Sequence, residues 1–84
     1  MKPVVVYTTN YCGFCVAAKS LLTTKGIPFQ EVDVTQDQAL RQEVVRRSGR
    51  RTVPQIFIGD ESIGGFTELR ALYVSGELED KLAD

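Results

Sequence analysis

The chain contains no histidine and no tryptophan, and only two cysteines, Cys12 and Cys15. Those absences narrow the chemistry. A tetrahedral zinc site of nitrogen and sulfur donors needs four ligands, and one Cys-x-x-Cys supplies two. With no histidine and no second cysteine pair, a single chain cannot complete it. Charge of one sign is also lacking: ten basic and eleven acidic residues leave a formal net charge of −1. A nucleic-acid or anionic-membrane partner would require a basic surplus. No apolar stretch approaches the roughly 20 residues of a membrane span. At the N-terminus one lysine precedes Pro3-Val4-Val5-Val6, too short for the apolar core of a signal peptide. A cytosolic location is therefore expected, where a Cys-x-x-Cys is kept reduced and used catalytically. Repeats, low-complexity segments and linkers are missing too. The expectation is one small domain over residues 1–84, a monomer with neither nucleic-acid nor membrane partners.

What is present centres on Tyr11-Cys12-Gly13-Phe14-Cys15. The preceding run Val4-Val5-Val6-Tyr7 is β-branched and short, which predicts a buried strand. After it, Phe14, Ala17, Ala18, Leu21 and Leu22 recur at spacings of three and four, one face of a helix. Cys12 thus falls at or just before a helix N-terminus. The first turn there has unpaired N–H groups and a partial positive charge. A thiolate in that position is stabilised, and such thiols titrate between about 3.5 and 7.5 instead of about 8.5. Thiolate is the nucleophile of disulfide exchange. Cys15 lies one turn deeper, within reach of Cys12, and Gly13 keeps bulk away from the attacked sulfur. A structural disulfide would close a very short loop and gain little entropy. Two inert core cysteines are the plainer alternative; the strand–CxxC–helix context favours redox use.

The remaining chain reads as alternating elements. Residues 3–8 give a first strand, 13–25 a helix with Gly26 as its C′ residue, and Phe29 to Val34 a second strand nearer an edge. Strand, helix and strand with short connections predict a right-handed parallel βαβ unit. Thr35 is expected to cap a second helix, with Gln38 reaching back and Leu40, Val44 and Val45 inward. Arg46, Arg47, Arg50 and Arg51 suit a solvated helix C-terminus. Thr52 to Ile58 predicts a third strand, Gly59-Asp60 a hairpin turn, and Glu61 to Gly64 a short edge strand. Thr67 is expected to cap a third helix with Leu69, Leu72 and Tyr73 inward. Leu78 and Leu82 mark a last short one. The order β-α-β-α-β-β-α predicts an α/β protein: a four-stranded mixed sheet with helices on both faces.

Cys12-Gly13-Phe14-Cys15, Thr52-Val53-Pro54-Gln55-Ile56-Phe57-Ile58 and Ile63-Gly64-Gly65 stand in the order and spacing of the glutaredoxin family. From Val4 to about Leu82 the chain resembles the small bacterial dithiol glutaredoxins. The resemblance implies a thioredoxin fold and glutathione-dependent reduction of disulfides and glutathionylated proteins. It implies that Cys12 is the nucleophile and Cys15 the second thiol. It further implies that Pro54 is cis and faces the nucleophile, and that the Val53 backbone pairs with the glutathione cysteinyl unit as an added strand. Gly65, Phe66 and Thr67 match the segment that holds the γ-glutamyl end, where free N–H groups suit a carboxylate. Arg41 matches a position that contacts the glycyl carboxylate, and Phe14 and Thr52 complete the implied glutathione-binding set. For Thr52 and Gly64, simple strand and turn geometry explains the residue equally well.

The chain also departs from the family pattern. Thr9 stands where many members have lysine, Phe66 where a smaller residue is usual, and Thr67 where an acidic one is common. Gly13-Phe14 resembles the Cys-Gly-Phe-Ser loop of cluster-binding monothiol members. Cys15 replaces the serine, however, and Arg50-Arg51 replaces their Trp-Pro. Two further functions stay open at this point. One is a thioredoxin-like electron donor served by a different reductase. The other is a [2Fe–2S] carrier in which two chains each give Cys12 and two glutathiones complete the thiolate set.

Overall fold

In the computed structural model, residues 1–84 are all described. Val4–Thr8 form β1, Gln30–Asp33 β2, Gln55–Ile58 β3 and Glu61–Gly64 β4. The helices are α1 (Gly13–Thr24), α2 (Gln38–Ser48), α3 (Phe66–Ser75) and α4 (Glu77–Leu82). The strands lie in the order β2-β1-β3-β4. β1 and β2 are parallel, as the βαβ pattern requires, while β3 runs antiparallel to both β1 and β4. This is the mixed sheet of a thioredoxin fold, with its two most apolar strands in the middle.

Alternation along β1 and β3 divides the core in two. Val4, Val6, Ile56 and Ile58 point to one face, where Ala18 and Leu22 of α1, Leu69 of α3, and Leu78 and Leu82 of α4 cover them. Tyr7 and Phe57 point to the other, packed with Val34, just past β2, and Val44 of α2. The Tyr7 and Phe57 rings meet edge to face, 5.6 Å between centroids. Truncating a fully buried residue such as Leu22 to alanine would cost about 2–5 kcal/mol.

Local chemistry moves several boundaries from their expected places. Asp37, not Thr35, caps α2: its carboxylate accepts from the Leu40 N–H at 3.0 Å. The Thr35 hydroxyl is engaged elsewhere, donating to Asp33 and accepting from the Asn10 N–H. α3 starts two residues early, with Gly65 as N-cap instead of Thr67. The third strand is shorter than expected, because Thr52–Pro54 leave the ladder. Phe14 does not join the core; it is 65% exposed, and Tyr73 is 40% exposed. The arginines also divide. Arg46 pairs with Glu43 on the surface, whereas the Arg47 guanidinium lies 4.3 Å over the Phe57 ring and covers the second core.

Candidate active site

The β1–α1 turn positions the cysteines. Tyr11, at φ 57°, takes the left-handed conformation that turns the chain into the helix. Cys12 then occupies the N-cap position in extended geometry. Its sulfur does the work of a capping oxygen, accepting from the Cys15 N–H at 3.1 Å. No acidic residue lies in the first turn of α1 to oppose negative charge there. Cys12 and Cys15 are joined in a disulfide. Cys15 is only 2% exposed, while Cys12 is half-buried. An incoming thiolate can therefore reach the Cys12 sulfur, with Cys15 as the leaving thiolate.

Cys12 lines one depression and comes close, at Val53, to a second. On one side lies a groove walled by Phe14, Thr52, Val53, Pro54, Gly65, Phe66 and Thr67, with Arg50 and Glu68 completing it. The Val53–Pro54 bond is cis, and the Val53 carbonyl oxygen is 3.6 Å from the Cys12 sulfur. Phe14 and Phe66 stack at the rim, 6.3 Å between ring centroids. The fold thus brings to one groove seven residues named by sequence, drawn from α1, the α2–β3 loop and the start of α3. Arg41, on the first turn of α2, does not line it. On the other side, Thr9, Tyr11, Lys19, Glu31 and Asp33 border a cleft that also touches both cysteines.

Arg50 and Glu68 were not singled out by sequence as members of the site. The Glu68 carboxylate accepts from the Gly65 N–H at 2.7 Å and from the Arg50 guanidinium at 3.0 Å. It therefore ties the α2–β3 loop to the start of α3 across the groove. Those bonds, the Gly65 N–H first and Arg50 second, hold its pKa below the usual glutamate range. A signal was available: Glu68 stands three residues after Gly65, the spacing of a capping box. In the opposite cleft, Glu31 is likewise held low, by hydrogen bonds from Lys19 and then Thr8.

No three His, Cys, Asp or Glu side chains gather to hold a metal. Cys12 is the one accessible cysteine sulfur a single chain offers, so a cluster would need thiolate donors from outside it. No helix is long and apolar enough to cross a membrane.

Comparison with known proteins matches residues 4–63 to the family model described as glutaredoxin. The chain belongs to the glutaredoxin family. It is 46% identical over 83 residues to a glutaredoxin of Pseudomonas aeruginosa, covering 99% of each chain. It is also 46% identical to glutaredoxin 3 of Escherichia coli K12, covering 98% of this chain and 99% of that one. Among solved structures, a buckwheat glutaredoxin–glutathione complex superposes with a TM-score of 0.88 at 32% identity. The match covers 96% of this chain and 76% of that one. Glutaredoxin family, thioredoxin-like fold and the Cys12–Cys15 pair together make the chain a thiol–disulfide oxidoreductase.

Proposed function

We propose that this glutaredoxin is glutathione-dependent and reduces glutathionylated proteins and protein disulfides. The observation that carries the proposal is the position of the Cys12 sulfur. It borders a groove whose open backbone at Val53 and helix start at Phe66 and Thr67 offer peptide-pairing and anion-binding groups side by side. The related buckwheat protein was solved with glutathione, which supports the assignment.

In the proposed cycle, the Cys12 thiolate attacks the glutathionyl sulfur of a mixed disulfide and expels the substrate thiolate. A second glutathione thiolate then attacks the Cys12 sulfur of the Cys12–glutathione disulfide, releasing glutathione disulfide and regenerating the thiolate. On protein disulfides, the Cys12 thiolate attacks one sulfur to form a mixed disulfide with the substrate. Cys15 then attacks Cys12, and the substrate leaves as a dithiol. Two glutathiones reduce the resulting Cys12–Cys15 disulfide, leaving as glutathione disulfide. Glutaredoxin potentials of roughly −200 to −230 mV lie within the reach of glutathione. The cysteinyl unit would pair with Val53, and the γ-glutamyl carboxylate would take the N–H groups at the start of α3. Thr52, Phe14, Pro54, Gly65 and Phe66 would form the walls. For the glycyl carboxylate, family pattern points to Arg41, while Arg50 is the cation that lines the groove.

A coupled assay tests the dependence. Turnover of a glutathionylated peptide is expected with glutathione and glutathione reductase, and little with thioredoxin reductase. The opposite preference would make the chain a thioredoxin-like donor.

A further inference from the structure

Gln55 has no exposed surface, yet it stands in a strand whose other residues, Ile56, Phe57 and Ile58, are apolar. Its Nε2 donates to the Thr52 carbonyl at 2.8 Å and to the Thr52 hydroxyl at 3.2 Å. Reversing the carboxamide would set its oxygen against the Thr52 carbonyl, acceptor against acceptor, so the orientation is fixed by chemistry. The remaining oxygen, Oε1, is buried with no hydrogen-bond partner. An orphaned buried acceptor opposes folding, and a leucine here would carry no such cost.

The placement explains what is gained. Gln55 pairs with Tyr7 in the β1–β3 ladder, which anchors the exit of the Thr52–Pro54 loop. Its side chain reaches back and anchors the entry at Thr52. Val53 lies between the two anchors, and its carbonyl oxygen is the one 3.6 Å from the Cys12 sulfur. We propose that Gln55 is a positioning residue, closing the Thr52–Pro54 loop on itself so that the Val53 backbone is held against Cys12.

Two consequences separate. Once the disulfide is reduced, a carbonyl oxygen facing the sulfur can accept from the Cys12 thiol and disfavour the thiolate, opposing the Cys15 N–H. Releasing the loop therefore lowers the Cys12 pKa, whatever the co-substrate. Releasing it also loosens the Val53 edge and raises KM for a glutathionylated peptide. That second consequence rests on the glutathione reading above.

The test compares reduced Cys15→Ser protein with and without Gln55→Leu, titrating thiolate absorbance. The other charged groups around Cys12 are common to both: Lys19, Glu31 and Asp33 on the cleft side, Arg50 and Glu68 on the groove side. Gln55→Leu is expected to lower the Cys12 pKa by about half a pH unit, roughly a threefold rise in the thiolate-to-thiol ratio. KM is expected to rise severalfold with kcat little changed. Thr52→Val, at an exposed position, removes only the hydroxyl bond and should shift the pKa the same way by less, which keeps the test readable if Gln55→Leu does not fold. A lowered pKa with unchanged KM would support the positioning role and count against the glutathione groove. An unchanged pKa in the folded variants, with or without a lower Tm, would overturn the proposal and leave Gln55 a purely structural residue.

Discussion

The Cys12 sulfur and the Cys15 backbone N–H face each other across 3.1 Å at the start of α1, in the place where most helices put an oxygen. In the proposed cycle, the cap that starts the helix is also the group that reacts. Thiolate absorbance of reduced protein should put Cys12 well below the ordinary cysteine value of about 8.5. Thr9 borders the same cleft as Cys12, so Thr9→Lys should lower the pKa further. An unchanged value would mean that position 9 does not act on the thiolate.

The two cysteines differ in access, and so should their variants. Cys12→Ser is expected to abolish turnover, because Cys15 is buried beneath it. Cys15→Ser should keep substantial activity on glutathionylated peptides and lose it on protein disulfides. Steady-state rates on the two substrate classes check this; a Cys15→Ser protein dead on both would remove the glutathione-resolved route.

Glu68 links groove geometry to acid stability. Its pKa is depressed in the folded protein, so its contribution is fully present above the unfolded value of 4.5 and is lost as pH falls through the folded value. Its side chain is 42% exposed, so solvent weakens the Arg50 pair, and most of the effect comes from the Gly65 N–H. Glu68→Gln should cost about 0.5–1 kcal/mol at pH 7. Urea unfolding at pH 7 and pH 3 should show the gap from wild type narrowing in acid; an equal gap at both would contradict the assignment.

Gly64 is required where Gly13 is not. At Gly64, φ is 112°, and an added Cβ would lie 2.9 Å from the Glu68 carboxylate and 3.0 Å from the Arg50 guanidinium. Gly64→Ala should destabilise by about 1–3 kcal/mol. At Gly13 an added Cβ meets nothing within 4 Å, so Gly13→Ala should be neutral or better. Thermal unfolding of the pair checks the contrast.

The central strands were legible because Val4–Tyr7 and Ile56–Ile58 are short, β-branched apolar runs bounded by turn residues, too short for helices. Helix starts were less so. Thr35 and Asp37 are both good caps, and only the third dimension assigns the Thr35 hydroxyl to Asp33 and Asn10. Phe14 fits the apolar stripe of α1 by spacing, but it stands exposed and stacks on Phe66 at the groove rim while Cys15 takes the buried place in that turn. The resemblance to the glutaredoxin family implied the groove residues from Thr52 to Thr67, and these line one groove. It did not reveal the pairing of Arg50 with Glu68, which joins segments 18 residues apart, nor Gln55, whose bond back to Thr52 depends on how that loop turns.

We propose that glutathione joins Cys12 and lies along Val53 and the start of α3. The most direct measurement is to form the mixed disulfide of Cys15→Ser protein with glutathione and map amide chemical shifts against the reduced protein. The largest changes are expected at Val53, Phe66 and Thr67, with one glutathionyl group per chain on Cys12. An adduct whose largest changes fall instead on Thr9, Lys19 and Glu31, in the opposite cleft, would contradict it.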